Sequence, residues 1–471
     1  MSRLLKSFAG SFVARSGLSL VEFLGVLYVA TAAGPSVLGT YVLFRVVFVV
    51  VSMVLDFGTR EATIKRIAEG DDRGAYLSAS LFTKAGLLVP VAVAVVTFRG
   101  PLAGYVGSPL VVPFVLVLAV LEVVVETIYA GLHGQQRVGR AELSLFVRVA
   151  GKVAVWLVVL PLGYGLYGLL VGVVVGRVLQ LLVGVRLLSI RPRIPDRRHF
   201  RRLFRFGRYS WLGTVRERAW IWTDTLFLGL FVTSEVVGVY ELGWQLSAAF
   251  FLVASAISST LFANVDRLLD REGSDAVRRV VEVSLVYTGV AAIPGVAGAL
   301  VVGRSLLSAV GPEYAVGYVA LVVLVVARLA HCYEVVFEKV VNALDRPDLI
   351  FRVDLAFVGL NVVGNLLAIA AVGWVGAAVA TTVAMVVRTV MAYRYLDALV
   401  DVPIPGREIA MEVLAAAVMA VVLFGLTRGR SLTPVETVAV VGGGGLVYVA
   451  TLLALDGRIR LRVRTLVGGL V

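Results

Sequence analysis

The sequence has almost none of the residues that hold metal ions or cross-link small domains. It contains one cysteine, Cys332, and three histidines among 471 residues. A single cysteine excludes an intrachain disulfide. The three histidines have no metal-ligand spacing, which argues against a structural metal site. We therefore expect no bound metal, no cofactor and no catalytic residue built from these groups.

Charged residues are scarce as well. They make up 16% of the chain, whereas 59% of the residues are hydrophobic. A soluble domain typically carries about 25% charged residues, so the composition excludes an ordinary soluble globular chain. The first apolar run contains Arg15 and Glu22 and continues into further apolar runs. We interpret it as a transmembrane helix and not as a cleaved signal peptide.

Long apolar runs are what the sequence has in abundance, and each is long enough to cross about 30 Å of hydrocarbon. They lie at 9–31, 37–58, 77–98, 110–133, 143–162, 166–189, 209–232, 237–263, 280–302, 316–342, 350–371, 375–397, 409–427 and 433–455. The sequence therefore predicts an all-α polytopic membrane protein with about 14 transmembrane helices.

The net charge of +13 is distributed unevenly between the connections. Arginines are concentrated in alternate connections, above all in 190–208, while the connections near 99–109 and 303–315 carry only Arg99 and Arg304. By the positive-inside rule, this pattern predicts that both termini are cytoplasmic and that the protein lies in the cytoplasmic membrane. The linker 190–208 is expected to face anionic membrane lipids. Its few aromatic residues argue against nucleic acid as a partner.

An internal repeat divides the chain. The segment Leu121–Glu126 is repeated 212 positions later as Tyr333–Glu338, and both copies have the pattern Glu-Val-Val-x-Glu. Six helices per repeat is an even number, so both repeats have the same orientation in the membrane. The predicted divisions are a six-helix N-terminal lobe at 1–189, a basic cytoplasmic linker at 190–208, a six-helix C-terminal lobe at 209–397, and two additional helices with a basic tail at 398–471.

Charged residues inside the predicted spans are the candidate site residues, because a charge in hydrocarbon is costly. Guanidinium groups stay charged and match phosphate oxygens, so we expect arginines in a hydrated cavity to bind an anionic head group. These arginines are Arg15, Arg45, Arg216, Arg218 and Arg328. Carboxylates there are expected to take up H⁺ or Na⁺ and to act in ion coupling or gating. These carboxylates are Glu22, Asp224, Glu241, Glu122, Glu126, Glu334 and Glu338.

A structural role remains open for the four repeated glutamates. They could instead join helices within each lobe by pairing with Lys84, Lys152, Arg148 or Lys339. For Arg177, Arg388 and Lys339 a third role is open, in which the long side chain extends to the membrane interface.

The chain resembles Wzx-type polysaccharide flippases of the multidrug/oligosaccharidyl-lipid/polysaccharide exporter superfamily. The motifs that carry the resemblance are Gly34–Tyr41, Asp56–Gly58, Trp222–Gly229 with Val237–Tyr240, Gly311–Tyr314, and Asn361 and Asn365 before Gly373–Gly376. The resemblance implies two lobes, alternating access, and transfer of a polyprenyl- or dolichyl-linked oligosaccharide from the inner to the outer leaflet. It also implies coupling to an H⁺ or Na⁺ gradient or to the membrane potential, and pathway partners such as glycosyltransferases or a polymerase.

Two other functions remain open. A drug or organic-cation antiporter of the same fold would need an acidic, aromatic cavity; Glu22, Asp224 and Glu241 are compatible with it, but the arginines oppose it. A membrane glycan polymerase or ligase would need catalytic loops outside the cell. The longest predicted outside connections offer Glu313 but no paired carboxylates or histidine.

Overall fold

The computed structural model describes residues 2–262, 274–428, 430, 432–455 and 457. Within that part, the side chains of 2–16, 212, 214, 216, 217, 219, 220, 249–262, 274 and 276 lie outside the description. The described chain forms fifteen α-helices and one short 3-10 helix, without β-strands. The predicted all-α polytopic class is therefore confirmed.

The chain divides into two compact units, Met1–Gly238 and Val239–Val471. The helices of the first unit are α1 (Ser2–Asp56), α2 (Thr59–Glu69), α3 (Arg73–Thr97), α4 (Arg99–Val106), α5 (Val111–Gly134), α6 (Val138–Val159), α7 (Gly165–Leu187) and α8 (Arg197–Phe231). Helix α9 (Ser234–Phe262) begins at the end of the first unit and continues in the second. The second unit contains α10 (Ser274–Val310), the 3-10 helix Pro312–Gly317, α11 (Tyr318–Ala343), α12 (Pro347–Val372), α13 (Val375–Val400), α14 (Gly406–Thr427) and α15 (Pro434–Leu455).

Each of the predicted spans coincides with one of these helices or with half of one. Ten described helices are long and apolar enough to cross a membrane. Helix α6 is not among them because it contains four charged residues, and α8 has only a short apolar part, Ile221–Phe231. Helix α1 covers two predicted spans. It is broken at Gly34, which has a φ of 76° and is followed by Pro35. A left-handed glycine before a proline ends one helix and starts another.

The packing within each unit follows from the apolar faces of these helices. In the first unit, α7 packs against α5 and α6, α1 against α6, and α8 against α1, α2 and α3. In the second unit, α13 packs against α11 and α12, and α10 against α11, α14 and α15. One core of the second unit contains Val281, Val336, Val353 and Ala392, all fully buried. Another core holds α14 and α15 against α10.

The division by packing differs from the division predicted from the repeat. Helix α8 corresponds to predicted span seven, yet it packs with the helices of the first unit. Packing of this kind does not test a sequence repeat. The predicted boundaries 1–189, 190–208, 209–397 and 398–471 therefore stay a prediction.

Two glycines of the first unit, Gly39 and Gly238, allow two helices to approach closely. A Cβ atom on Gly39 would overlap the carbonyl oxygen of Ser234, and one on Gly238 would overlap the carbonyl oxygen of Pro35. The second half of α1 and the start of α9 thus meet backbone to backbone. Gly39 and Gly238 are followed by tyrosine two positions later in both places, Tyr41 and Tyr240.

We predict that Gly39→Ala and Gly238→Ala each lower the thermal midpoint of the purified protein. The added methyl group meets backbone atoms that cannot rotate away, and overpacking of this kind costs about 1–3 kcal/mol. Gly298→Ala and Gly359→Ala are the matched controls, since nothing lies within 4 Å of a Cβ at either position. Size-exclusion chromatography after heating measures all four variants; equal midpoints in the two pairs would contradict the close approach.

Candidate functional site

A cavity of about 430 Å³ lies within the first unit. Helices α1, α2, α3, α5, α6, α7 and α8 all contribute to its walls. Its basic lining residues are Arg45, Arg60, Lys84, Arg148, Lys152, Arg177 and Arg218. Its acidic lining residues are Glu22, Asp56, Glu61, Glu122 and Glu126. The lining therefore contains more basic than acidic side chains.

Glu22 neutralises one side of the cavity. The Nζ atom of Lys152 donates a hydrogen bond of 2.7 Å to Glu22 Oε1, and Arg45 Nη1 lies 4.0 Å from the same oxygen. Glu22 and Arg45 lie on the two halves of α1, on either side of its break. The Arg45 guanidinium also lies over the ring of Trp222, 5.0 Å from its centroid. This stacking keeps the arginine at the cavity wall.

Asp56 joins α1, α2 and α3. It is the last residue of α1, and its Oδ1 lies 3.1 Å from Lys84 Nζ of α3. The same oxygen accepts a hydrogen bond of 3.0 Å from the backbone N–H of Arg60 in the first turn of α2. A carboxylate at this place satisfies a free N–H at a helix start and interacts favourably with the helix dipole.

The repeated glutamates of α5 bind Arg177 of α7. Arg177 Nη1 lies 2.8 Å from Glu122 Oε2 and 3.6 Å from Glu126 Oε1. Arg60 adds a second cation, with Nη1 3.7 Å from Glu126 Oε2. Burial alone would lower the pKa of Arg60, but Glu126 together with Tyr129, Glu61 and Asp56 outweighs burial, so the pKa is raised and the guanidinium stays charged. An interfacial role for Arg177 is therefore wrong, because this side chain is buried among carboxylates.

Two basic residues of the cavity have no such partner. No described carboxylate lies within 4 Å of Arg148 on α6 or of Arg218 on α8, whereas the other basic lining residues each have one. Both side chains are partly buried. A guanidinium group that forms no ion pair in a cavity has donors left to bind an anion, above all a phosphate with its matching oxygens.

The second unit contains the counterpart of the Arg177 cluster. Arg388 on α13 lies 3.1 Å from Glu334 Oε1, 3.4 Å from Glu338 Oε2 and 3.0 Å from Asp354 Oδ1 of α12. Glu334 is fully buried, and Asp354 is 4% exposed. An interfacial role for Arg388 is wrong for the same reason as for Arg177. Here three carboxylates lie around one guanidinium, and Lys339 is a further cation near Glu338.

The structure brings together only some of the predicted site residues. Arg45, Arg218, Glu22, Glu122 and Glu126 line the cavity of the first unit. Arg15 and Arg216 have side chains outside the described part of the chain. The roles of all the predicted site residues stay predictions.

The remaining predicted site residues lie elsewhere. Arg328 of α11 lies over the ring of Trp244 at 3.9 Å and near Ser247 Oγ at 3.4 Å. Glu241 accepts a hydrogen bond of 2.9 Å from Gln245 Nε2. Asp224 is buried in α8 and is not part of the cavity lining.

The structural alternative for the repeated glutamates did not name their ion-pair partners, and the sequence analysis left several lining residues out of the site. The described ion pairs of these glutamates are with Arg177, Arg60 and Arg388, cations that the structural alternative did not include. The signal available in the sequence was that Arg177 and Arg388 follow the two Glu-Val-Val-x-Glu copies at nearly the same distance, 55 residues after Glu122 and 54 after Glu334. No such spacing indicated Arg60, because Arg60 lies in a predicted connection that contains several other basic residues.

These features define a multi-pass α-helical membrane protein with a basic cavity among its helices. The family model described as polysaccharide biosynthesis protein matches residues 33–312. The chain belongs to this family, and the predicted membership of the flippase superfamily is confirmed.

Relatives from Haloferax volcanii cover most of the chain. The probable flippase AglR is 32% identical over 99% of both chains. The probable low-salt glycan biosynthesis flippase Agl15 is 29% identical over 86% of both chains. Among solved structures, the lipid II flippase MurJ in an inward closed conformation has a TM-score of 0.80 at 13% identity, over 95% of this chain and 98% of that one. At this identity, the likeness to MurJ establishes the fold.

We predict that Arg177→Leu lowers the free energy of unfolding by about 3–5 kcal/mol, since it leaves Glu122 buried without compensation. The double variant Arg177→Leu with Glu122→Gln is expected to recover part of this loss. Arg140→Leu, on an exposed surface of α6, is the control and is expected to have little effect. The thermal midpoints of the unchanged protein and of the three variants are measured. A midpoint of Arg177→Leu equal to that of Arg140→Leu would rule out a stabilising ion pair between Arg177 and Glu122.

Proposed function

We propose that the protein is a flippase that moves an oligosaccharide linked to polyprenyl or dolichyl (di)phosphate across the cytoplasmic membrane. The observation that carries this proposal is a cavity with more basic than acidic side chains, in which Arg148 and Arg218 form no described ion pair. The names of the Haloferax relatives support it. A phosphate group would supply the negative charge that the cavity lacks.

The cavity volume is consistent with a head group as the bound part of the substrate. Pockets of roughly 300–1,000 Å³ bind drug-sized molecules, and about 430 Å³ falls at the lower end of that range. A phosphate with a small part of the saccharide would fill such a space. The isoprenoid chain, which is apolar, would stay in the lipid, and alternating access would carry the head group from the inner to the outer leaflet.

The same charge balance argues against an organic-cation antiporter. An organic-cation antiporter needs a cavity with an excess of carboxylates, and in this cavity the carboxylates are outnumbered. In our proposal the protein is not an enzyme: it makes and breaks no covalent bond, and its side chains only bind and orient the head group. Glycosyltransferases or a polymerase of the same pathway would deliver or consume the saccharide, and both termini would be cytoplasmic.

For energy coupling we propose the cluster around Arg388. Three carboxylates share one guanidinium, and His331 Nε2 lies 4.0 Å from Glu334 Oε2. Burial makes uncompensated negative charge costly, which favours uptake of a proton or Na⁺ by the cluster. Glu22, Asp224, Glu241, Glu122 and Glu126 remain further candidates for gating. An H⁺ or Na⁺ gradient, or the membrane potential, would then drive transport.

We predict that Arg148→Gln and Arg218→Gln each weaken head-group binding about ten- to hundredfold. The estimate is the loss of one charge-assisted interaction of about 1.5–3 kcal/mol. The weaker binding is measured as slower leaflet transfer in reconstituted vesicles. These contain a fluorescent lipid-linked saccharide, whose outer-leaflet fraction is quenched chemically.

Arg140→Gln is the matched control for these variants, because Arg140 lies on the same helix as Arg148 but is exposed. It is expected to transfer at the rate of the unchanged protein. Full transfer by both Arg148→Gln and Arg218→Gln would refute the basic-cavity mechanism. Export of a fluorescent organic cation by the unchanged protein would instead favour the antiporter.

We predict that Glu334→Gln and Asp354→Asn abolish the response of transfer to an imposed H⁺ or Na⁺ gradient. Each variant removes part of the excess charge that would bind the coupling cation. Slow equilibration of the substrate between leaflets is expected to persist, since the basic cavity is unchanged. Glu313→Gln, an exposed carboxylate of the same unit, is the control. If both cluster variants respond to the gradient normally, the cluster does not couple transport.

A further inference from the structure

A second basic feature of the first unit lies outside the cavity. The segment 188–196 has no regular secondary structure and crosses the start of α3, where the backbone N–H of Arg193 donates a hydrogen bond of 3.3 Å to the carbonyl oxygen of Gly74. A groove of about 310 Å³ lies at this crossing, with Arg73, Arg191 and Arg193 in its lining. We call it the linker groove.

The charges around the linker groove are not balanced. Asp72 is the carboxylate of the lining, and it is already engaged by Arg198 at 2.9 Å and by His199 at 3.4 Å. No described carboxylate lies within 4 Å of Arg73, Arg191 or Arg193. All three side chains are exposed. The linker groove therefore presents three guanidinium groups without counter-charges.

The first turns of α8 extend this surface. His199 and Leu203 are buried on one face, against Tyr76 and the core formed by α2 and α3. The opposite face exposes the arginines Arg197, Arg201 and Arg205. None of these three has a described ion pair.

Apolar side chains lie among these arginines. Phe204 is 58% exposed, and Ile194 is 94% exposed. Both residues lie outside the helices that are apolar enough to cross a membrane. Arginines mixed with exposed apolar side chains are typical of a surface at the membrane interface, where the cations meet phosphates and the apolar groups enter the head-group layer. An acidic soluble partner would satisfy the arginines but would leave these apolar side chains without a favourable environment.

We propose that the linker groove and the exposed arginine face of α8 bind the phosphate-bearing head groups of anionic membrane lipids. The linker groove would hold one head group, and the α8 face would lie on its neighbours. This binding is separate from transport, because none of these residues lines the cavity of the first unit. It would fix the position of α8, which carries Arg218 and Trp222 into the cavity wall, relative to the lipid surface.

The test uses the full chain, purified in detergent, and a fluorescent phosphatidylglycerol with phosphatidylcholine as the neutral comparison. We expect selective binding of phosphatidylglycerol. The triple variant Arg73→Gln, Arg191→Gln, Arg193→Gln should weaken it at least tenfold, because each arginine near an anionic surface contributes about a fivefold factor. The exposed arginines make no ion pair, so the fold should persist, and a thermal midpoint close to that of the unchanged protein checks this.

The control carries the same change in charge at distant exposed positions: Arg304→Gln, Arg428→Gln, Arg430→Gln. It should bind phosphatidylglycerol as the unchanged protein does. Equal loss in both triple variants would overturn the proposal, as would no loss in either. Inorganic phosphate, polyglutamate and a single-stranded oligonucleotide serve as competitors at matched charge. If any of them binds through the three arginines more tightly than the lipid, the linker groove is a site for a soluble anion and the proposal fails.

Discussion

The cost of placing charge inside an apolar helix bundle determines the arrangement of the interior. An uncompensated ion in such a place is destabilising by several kcal/mol, so buried charges occur in clusters and not singly. Lys84, at 1% exposure, lies against Asp56, and Glu334, at 0%, lies against Arg388. Interior cations that form no described ion pair are therefore informative. Arg148 and Arg218 are the exceptions among the cations that line the cavity.

The two copies of the Glu-Val-Val-x-Glu motif lie in two different electrostatic environments. In each unit the glutamates lie close to an arginine two spans further along the chain, Arg177 or Arg388. In the first unit, Arg60 adds positive charge to the cluster; in the second, Asp354 adds negative charge. The first environment suits an anionic ligand and the second a small cation. A transporter that couples a phosphorylated substrate to a cation gradient needs both.

Much of the fold could be predicted because hydrocarbon imposes a simple rule on sequence. Every spanning segment must be helical and about 20 residues long, so the apolar runs determine the number and order of the helices. The break at Gly34 was also predictable, from the glycine and proline between two runs. The ion-pair partners of the buried charged residues were harder to predict. Arg177 and Arg388 look from the sequence like arginines that reach the interface, since the pattern of one helix does not reveal which neighbour covers it.

The sequence by itself determined the class of protein, the positions of the long apolar helices and the presence of charged residues where lipid cannot tolerate them. These properties depend on local composition and on the thickness of a membrane. The tertiary structure decided which charges form ion pairs, that Asp56 and Arg60 belong to the cavity, and that Arg148 and Arg218 form no described ion pair. Such properties depend on distances of a few ångströms between helices that are far apart in the chain, because an ion pair is formed by packing and not by sequence spacing.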